Sequence, residues 1–395
     1  MMHVNFRSPT LSARRGRWIT TALLAPLLVL TACAAHQPGQ SRQLRDAVRI
    51  AAGSTHTCAV TSGGYVKCWG ANKHGQLGDG TRTGKRSPVD VSGLMTAVKD
   101  VTVGERHSCA VTATNNLKCW GSNHDYQLGD GTRQDRVTPV EVADIHGDVR
   151  AAAAGEQHTC VLTAAGGVKC WGKNQDGQLG DGSALDKSKP VDVAGLSTGV
   201  TAVVAGANHT CALMTSGGGV RCWGNNQDGQ LGDGTTVSRN TPIEVAGLGA
   251  GITALAAGSQ HTCALIDNGT VRCWGQNQRG QLGDGTTTDR VAPVSVADLT
   301  SGVTILVAGG QHSCALLLNG TMKCWGNNGS GQLGSGSVLL KTTPIIVTVT
   351  ATPAVAMTAG RTHTCALLSD NNVRCWGDNE QGQLGEDPKG PQAHS

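Results

Sequence analysis

From about residue 47 onward, apolar and polar positions alternate over short stretches that are broken by clusters of Gly, Asn, Asp and Ser. An amphipathic helix would instead place apolar residues every three to four positions over three or more turns, and no long segment does so. In the unit that begins at Pro88, four stretches read as strands: residues 88–91, 97–103, 107–112 and 117–121. Strands this short, with turn residues between them, predict a four-stranded antiparallel blade rather than a helical repeat.

The unit recurs. Tryptophans stand at 69, 120, 171, 223, 274, 325 and 376, spaced by 51 residues with a single gap of 52. Each is preceded by G-x-x-H-[ST]-C and [KR]-C-W-G, and is followed by Asn at the third position and Gln-Leu-Gly from the seventh. A fixed period near fifty residues marks a solenoid or a propeller. Seven such units predict an all-β, seven-bladed β-propeller over residues 47–386 with almost no helix. The Pro-x-x-Val stretch occurs only six times, at Pro88, Pro139, Pro190, Pro242, Pro293 and Pro344. One blade is therefore expected either to keep three good strands or to be completed by a weakly patterned segment.

Composition supports the turn-dense reading: 56 glycines, 15% charged residues and 3% aromatics. The formal charge of +4 owes its excess to Arg7, Arg14, Arg15 and Arg17, which precede Cys33 with no Asp, Glu or Lys among them. Without that segment the chain is formally neutral, so no nucleic-acid partner is expected. The arginines lead into the apolar run 18–30, the layout of a signal peptide. Leu30-Thr31-Ala32-Cys33 resembles the lipobox of bacterial lipoproteins, which implies cleavage before Cys33 and acylation of that cysteine. An ordinary cleaved signal with an incidental Cys33 is the alternative. The expected organisation is a signal peptide at 1–32, a lipidated N-terminus and polar tether at 33–46, the propeller at 47–386 and a tail at 387–395. The resemblance also implies a lipid-anchored location in the cell envelope, with Ala34 pointing to the outer rather than the inner membrane.

The motif G-x-x-H-[ST]-C-A-[LV] followed by W-G-x-N-x-x-G-Q-L-G resembles the regulator of chromosome condensation repeat family, whose members form seven-bladed propellers. Tyr126 replaces the glycine before Gln-Leu-Gly in the second repeat, and Gly334-Ser335-Gly336 replaces Gly-Asp-Gly in the sixth. The resemblance implies several functions. The eukaryotic namesake is a guanine-nucleotide exchange factor that acts through an inserted wedge, plant members sense ultraviolet light through tryptophan clusters, and a secreted bacterial member inhibits β-lactamases. The nearly constant period here leaves no room for a comparable wedge.

Fourteen cysteines fall into seven pairs: Cys58 with Cys68, Cys109 with Cys119, Cys160 with Cys170, Cys211 with Cys222, Cys263 with Cys273, Cys314 with Cys324, and Cys365 with Cys375. Counting inward from Cys263 and Cys273 pairs Leu265 with Val271 across the turn Asp267-Asn268-Gly269, which sets the two sulfurs opposite one another. Export into an oxidising compartment then predicts seven cross-strand disulfides. Buried free thiols, and zinc held by sets such as His56, Cys58 and Cys68, are the alternatives. The recurrent histidines at 56, 107, 158, 209, 261, 312 and 363 are expected to fix backbone groups inside each blade. Each tryptophan is expected to pack against the following blade.

No nucleophile elbow, phosphate-binding loop, dinucleotide fingerprint or His-Glu-x-x-His is present, so an enzyme is not expected, nor a cofactor or metal. What remains is a monomeric binding scaffold for a protein or glycan, held at the membrane by its lipid, with exchange activity or enzyme inhibition as alternatives. The variable loops 82–87, 133–138, 184–189, 236–241, 287–292 and 338–343 are the candidate surface. Their basic residues Arg82, Lys85, Arg86, Arg133, Arg136, Lys187, Lys189, Arg239, Arg290 and Lys341 suggest a rim for acidic groups, with an ordinary solvated loop set as the alternative. These loops hold no Trp, Tyr or Phe, which favours a weak multivalent surface over a tight one.

Overall fold

The computed structural model describes residues 44–94, 97–215 and 219–385. The expected signal peptide, the lipidation site Cys33, tether residues 34–43 and the tail from residue 386 lie outside the described residues. Within them the chain is all-β and without helix: six four-stranded antiparallel sheets and one three-stranded sheet, arranged as a seven-bladed propeller. In the first blade, β1 (Ala47–Ala52), β2 (His56–Thr61), β3 (Val66–Gly70) and β4 (Lys85–Asp90) lie side by side in chain order. β1 and its six counterparts stand innermost, each against the next around the axis.

Each strand is positioned by what its alternate residues meet. Every residue of β2 is buried, because β2 is flanked by β1 and β3 and covered by blades on both faces, whereas every residue of the outer β4 is half-exposed or exposed. β4 starts three residues earlier than its apolar pattern suggests, since Gly70 pairs with Lys85 and draws a polar stretch into the ladder. Cys58 stands opposite Cys68 in the β2–β3 register, and the same pairing recurs in all seven blades. The expected disulfides are all present, each inside its own hairpin. Cys58 is bonded to Cys68, Cys109 to Cys119, Cys160 to Cys170 and Cys211 to Cys222. Cys263 is bonded to Cys273, Cys314 to Cys324 and Cys365 to Cys375. Cα–Cα separations are 4.0 or 4.1 Å throughout, shorter than the roughly 4.5–5.5 Å typical of opposed residues in an antiparallel ladder. The sulfurs that the zinc alternative required are thereby used.

Among the described residues the seventh blade has only the strands Ala354–Ala359, His363–Leu368 and Val373–Gly377. Ring closure comes from the other end of the described chain. Leu44 is buried beside Cys365 and Cys375, and its carbonyl accepts the Val373 N–H at 3.2 Å. Leu196 does the same for Val168 at 2.9 Å, and Leu299 for Val271 at 3.3 Å, in blades that have their fourth strand. Leu44 to Asp46 thus belong to the ring, a correction to the expectation that residues up to 46 form a tether outside it. The cause is one apolar side chain, Leu44, filling a slot that the repeat leaves open.

The seams between blades carry the recurrent polar residues. Trp120 of the second blade sits among Cys58, Val60, Val66 and Leu77 of the first, so each tryptophan packs on the preceding blade and not the following one. Its indole N–H donates to the Gln76 carbonyl at 2.9 Å, which also accepts from the Ser108 hydroxyl at 3.0 Å. That hydroxyl has one hydrogen, now committed, so at 2.8 Å from His56 Nε2 its oxygen accepts from an Nε2–H. The set repeats at every seam, through His363, Thr57, Trp69 and the Gln383 carbonyl at the closure. The histidines therefore join adjacent blades rather than fixing backbone inside one blade, a third correction after the tether and the direction of tryptophan packing.

Candidate functional site

β1 and β3 end, and β2 and β4 begin, at the same end of the blade. The turn after β1 and the 71–84 loop therefore share one face of the propeller, as do their counterparts in the other blades. At the centre of that face the axial channel opens through a ring of glycines. A Cβ added to Gly104 would collide with the Gly155 carbonyl and the His107 ring, so these positions have no room for a side chain. The mouth is a shallow cavity of about 80 Å³ whose charged lining residues are Glu105, Glu156 and Arg361. Burial, then the neighbouring Glu105, push the Glu156 carboxyl up against the opposing pull of Arg361.

Further out, the loop motif is occupied with its own folding. The Asn72 side chain accepts the Leu77 N–H at 3.0 Å and donates to Asp79 at 3.0 Å, and Gln76 Oε1 accepts the His74 N–H at 3.0 Å. The recurrent aspartate of Gly-Asp-Gly then takes the basic residue six positions later. Lys85 lies 3.9 Å from Asp79, Arg136 2.7 Å from Asp130, Lys187 3.1 Å from Asp181, Arg239 3.3 Å from Asp233 and Arg290 2.8 Å from Asp284. Four of the other basic candidates are also engaged. Arg82 meets Asp135 at 3.2 Å, Lys189 meets Asp144 at 3.2 Å, Arg133 stacks over the Tyr126 ring at 4.4 Å, and Arg86 donates to the Asn379 and Glu380 carbonyls across the ring closure. Lys341 lacks the partner because Ser335 stands where the aspartate would be. The expected basic rim is therefore largely neutralised by the propeller's own carboxylates and carbonyls.

The same loops instead present apolar side chains. Leu185 is 70% exposed, Val237 56%, Val338 64% and Leu339 67%, all on the channel-mouth face and from the third, fourth and sixth blades. These side chains carry neither charge nor an aromatic ring, and their signal in the sequence is an aliphatic residue inside a Ser/Thr/Asp-rich loop.

The 122–135 loop of the second blade departs most from the repeat. Tyr126 holds φ at 64°, a left-handed value that every other repeat assigns to glycine at this position. At the boundary of the first and second blades, His74 Nδ1 lies 3.0 Å from Asp135 Oδ2 and His124 Nε2 lies 3.7 Å from Asp135 Oδ1. Partial burial alone would raise the Asp135 carboxyl. The Asn123 backbone N–H, His74, Arg82 and His124 outweigh it and hold the group below the usual carboxylate range.

Comparison with known proteins places these features in a lineage. Residues 139–394 match the model of the RCC1-like domain, and segments 47–76, 98–127 and 64–111 match models of the regulator of chromosome condensation (RCC1) repeat. The ultraviolet-B receptor UVR8 of Arabidopsis thaliana is 33% identical over 348 residues, an alignment that covers 86% of this chain and 79% of the receptor. The E3 ubiquitin-protein ligase HERC2 of Homo sapiens is 31% identical over 84% of this chain, which spans only 7% of the ligase. Among solved structures, human WBSCR16 superposes with a TM-score of 0.73 at 26% identity, covering 81% of this chain and 85% of that one. Prp20p of Saccharomyces cerevisiae, a structure described together with its binding to Gsp1p and histones, superposes with a TM-score of 0.70 at 22% identity over 85% and 83% of the two chains.

Proposed function

The chain belongs to the RCC1-repeat family of seven-bladed propellers, and on that premise we propose that it is a non-enzymatic, lipid-anchored envelope protein that binds a protein partner through its channel-mouth face. One observation carries the binding reading: the residues that every repeat shares are consumed by seams and loop folding, so the groups left over for a ligand are the non-repeating ones. On this face those include the exposed aliphatic side chains of Leu185, Val237, Val338 and Leu339. Exposed aliphatic side chains on this face favour a protein partner over a glycan, which would call for more unpaired polar groups. Family members that bind proteins, Prp20p among them, supply the precedent. Exchange activity is not favoured, because the loops keep one repeating length and carry no inserted wedge.

A variant with Leu185, Val237, Val338 and Leu339 all changed to Ser should keep the wild-type melting temperature and lose a cross-linked partner that the parent captures in intact envelopes. Retention of that partner would refute the surface. The anchor rests on the lipobox-like 30–33 segment and on a set of disulfides that suits an oxidising compartment. Cys33→Ser should abolish incorporation of labelled fatty acid and release the protein from the membrane fraction. Lipid retained in that variant would remove Cys33 from the account.

A further inference from the structure

We infer that His74, His124 and Asp135 form a binding site for a divalent late transition-metal ion, of which zinc is the natural representative, at the boundary of the first two blades. Their ligand atoms, one from each residue, all lie within 4.8 Å of one another. Asp135 and each imidazole are already close, at 3.0 and 3.7 Å, and the rings stand edge to face with centroids 5.9 Å apart. Four-coordinate zinc holds N and O donors at about 2.0–2.2 Å, which sets donor separations of roughly 3.3 Å. The closing movement falls to His124, whose side chain is 69% exposed and free to swing.

The repeat shows which part of this cluster the fold requires. Asp135 has a structural duty, accepting the Asn123 N–H at 2.9 Å, as Asp186 does for Asn174 at 2.8 Å and Asp289 for Asn277 at 2.6 Å. The histidines have none that recurs. At the position of His74 the later repeats carry Asp125, Asp176, Asp228, Arg279, Ser330 and Gln381. At the position of His124 the other six carry Lys73, Gln175, Gln227, Gln278, Gly329 and Glu380. Two imidazoles, separated by fifty residues in sequence, occur where they converge on one carboxylate and at no other blade boundary. The Asn123 N–H and Arg82 already orient the carboxylate, the role that outer contacts play at protein metal sites. A two-imidazole, one-carboxylate set suits zinc, copper(II) or nickel(II), and it leaves a fourth position for water or a partner's donor. The Arg82 charge on Asp135 opposes the ion, so affinity in the micromolar range is expected. The sequence-based expectation of no metal is thus revised at this one place.

The test is calorimetric titration of the propeller carrying Cys33→Ser with zinc chloride, together with the visible absorption of the cobalt(II) adduct. One ion per chain and a cobalt band of low coordination number are expected. His124→Gln and His74→Gln install residues found at the same positions of other repeats, so both should fold. Each should weaken zinc binding at least about tenfold and bleach the cobalt band, while His146→Ala, an exposed histidine elsewhere, should change neither. No stoichiometric binding by the parent, or binding that survives both Gln variants, would overturn the assignment.

Discussion

Acidification from pH 7 to pH 5 should destabilise the propeller more than any single substitution outside its core. The seven seam histidines have imidazoles pushed down to about 3 at His56, His158, His261 and His312 and to about 4 at His107, His209 and His363. Burial is the main cause, with like-charge repulsion from neighbouring rings adding to it at His56, His158, His261 and His312. The geometry agrees: Nε2–H is spent on a Ser or Thr oxygen, and each Nδ1 is buried without an acceptor for a second proton. The unfolded chain takes up those protons at about pH 6.5 while the folded one does not, so stability is complete above that pH and falls as pH drops toward 3–4. At pH 5 each histidine forfeits on the order of 2 kcal/mol relative to pH 7, and a few such losses already consume the ~5–15 kcal/mol by which domains are stable. Asp130, Asp135, Asp181, Asp233 and Asp284 have lowered pKa values and lose stability only as pH falls through the acidic carboxylate range. Melting temperature followed by circular dichroism should therefore fall steeply between pH 6.5 and 5, before the carboxylates titrate. A melting temperature that stays flat across that interval would contradict neutral, acceptor-less imidazoles at the seams.

The blade is legible in the chain because its determinants are local. Alternation fixes β2 and β3, the turn length sets Cys263 opposite Cys273, and the period counts the blades. What lay beyond reach depended on neighbours about fifty residues away. His56 cannot be assigned to Ser108 without knowing which edge of the next blade it faces, and the direction of tryptophan packing has the same cause. Leu44 is hard to pick out in sequence because residues 36–43 lack the Pro-x-x-Val pattern of the outer strands. The failure of the basic rim is different in kind, since its signal was present: Asp79 and Lys85, Asp130 and Arg136, and Asp181 and Lys187 each stand six residues apart in sequence. A repeated pairing of opposite charges implies internal neutralisation, and only unrepeated residues such as His74, His124 and Leu185 remain as candidates for recognition.

Replacing Trp223 by alanine should be the most damaging single change in the ring, costing roughly 3–5 kcal/mol from the buried side chain alone. Trp223 is fully buried in a seam built from Leu162, Val168, Leu179 and Leu196, so the missing indole leaves a cavity between two rigid sheets that cannot collapse onto one another. Its N–H to the Gln178 carbonyl, at 2.9 Å, goes with it. That carbonyl keeps the Thr210 hydroxyl at 2.9 Å, so the lost hydrogen bond adds only about 1 kcal/mol. The disulfide Cys211–Cys222 lies inside one hairpin and cannot compensate, because the damage is to the contact between blades. In a closed ring each seam supports two blades, and opening one converts the propeller into an array with two free ends. Denaturant unfolding of Trp223→Ala should thus show a midpoint well below that of the parent. Trp376→Ala, at the three-stranded blade where the ring is less completely covered than Trp223, should cost measurably less. Equal losses at the two positions would show that the seventh blade is as well covered as the rest, and a loss under about 1 kcal/mol at Trp223 would remove the seams as the source of the ring's stability.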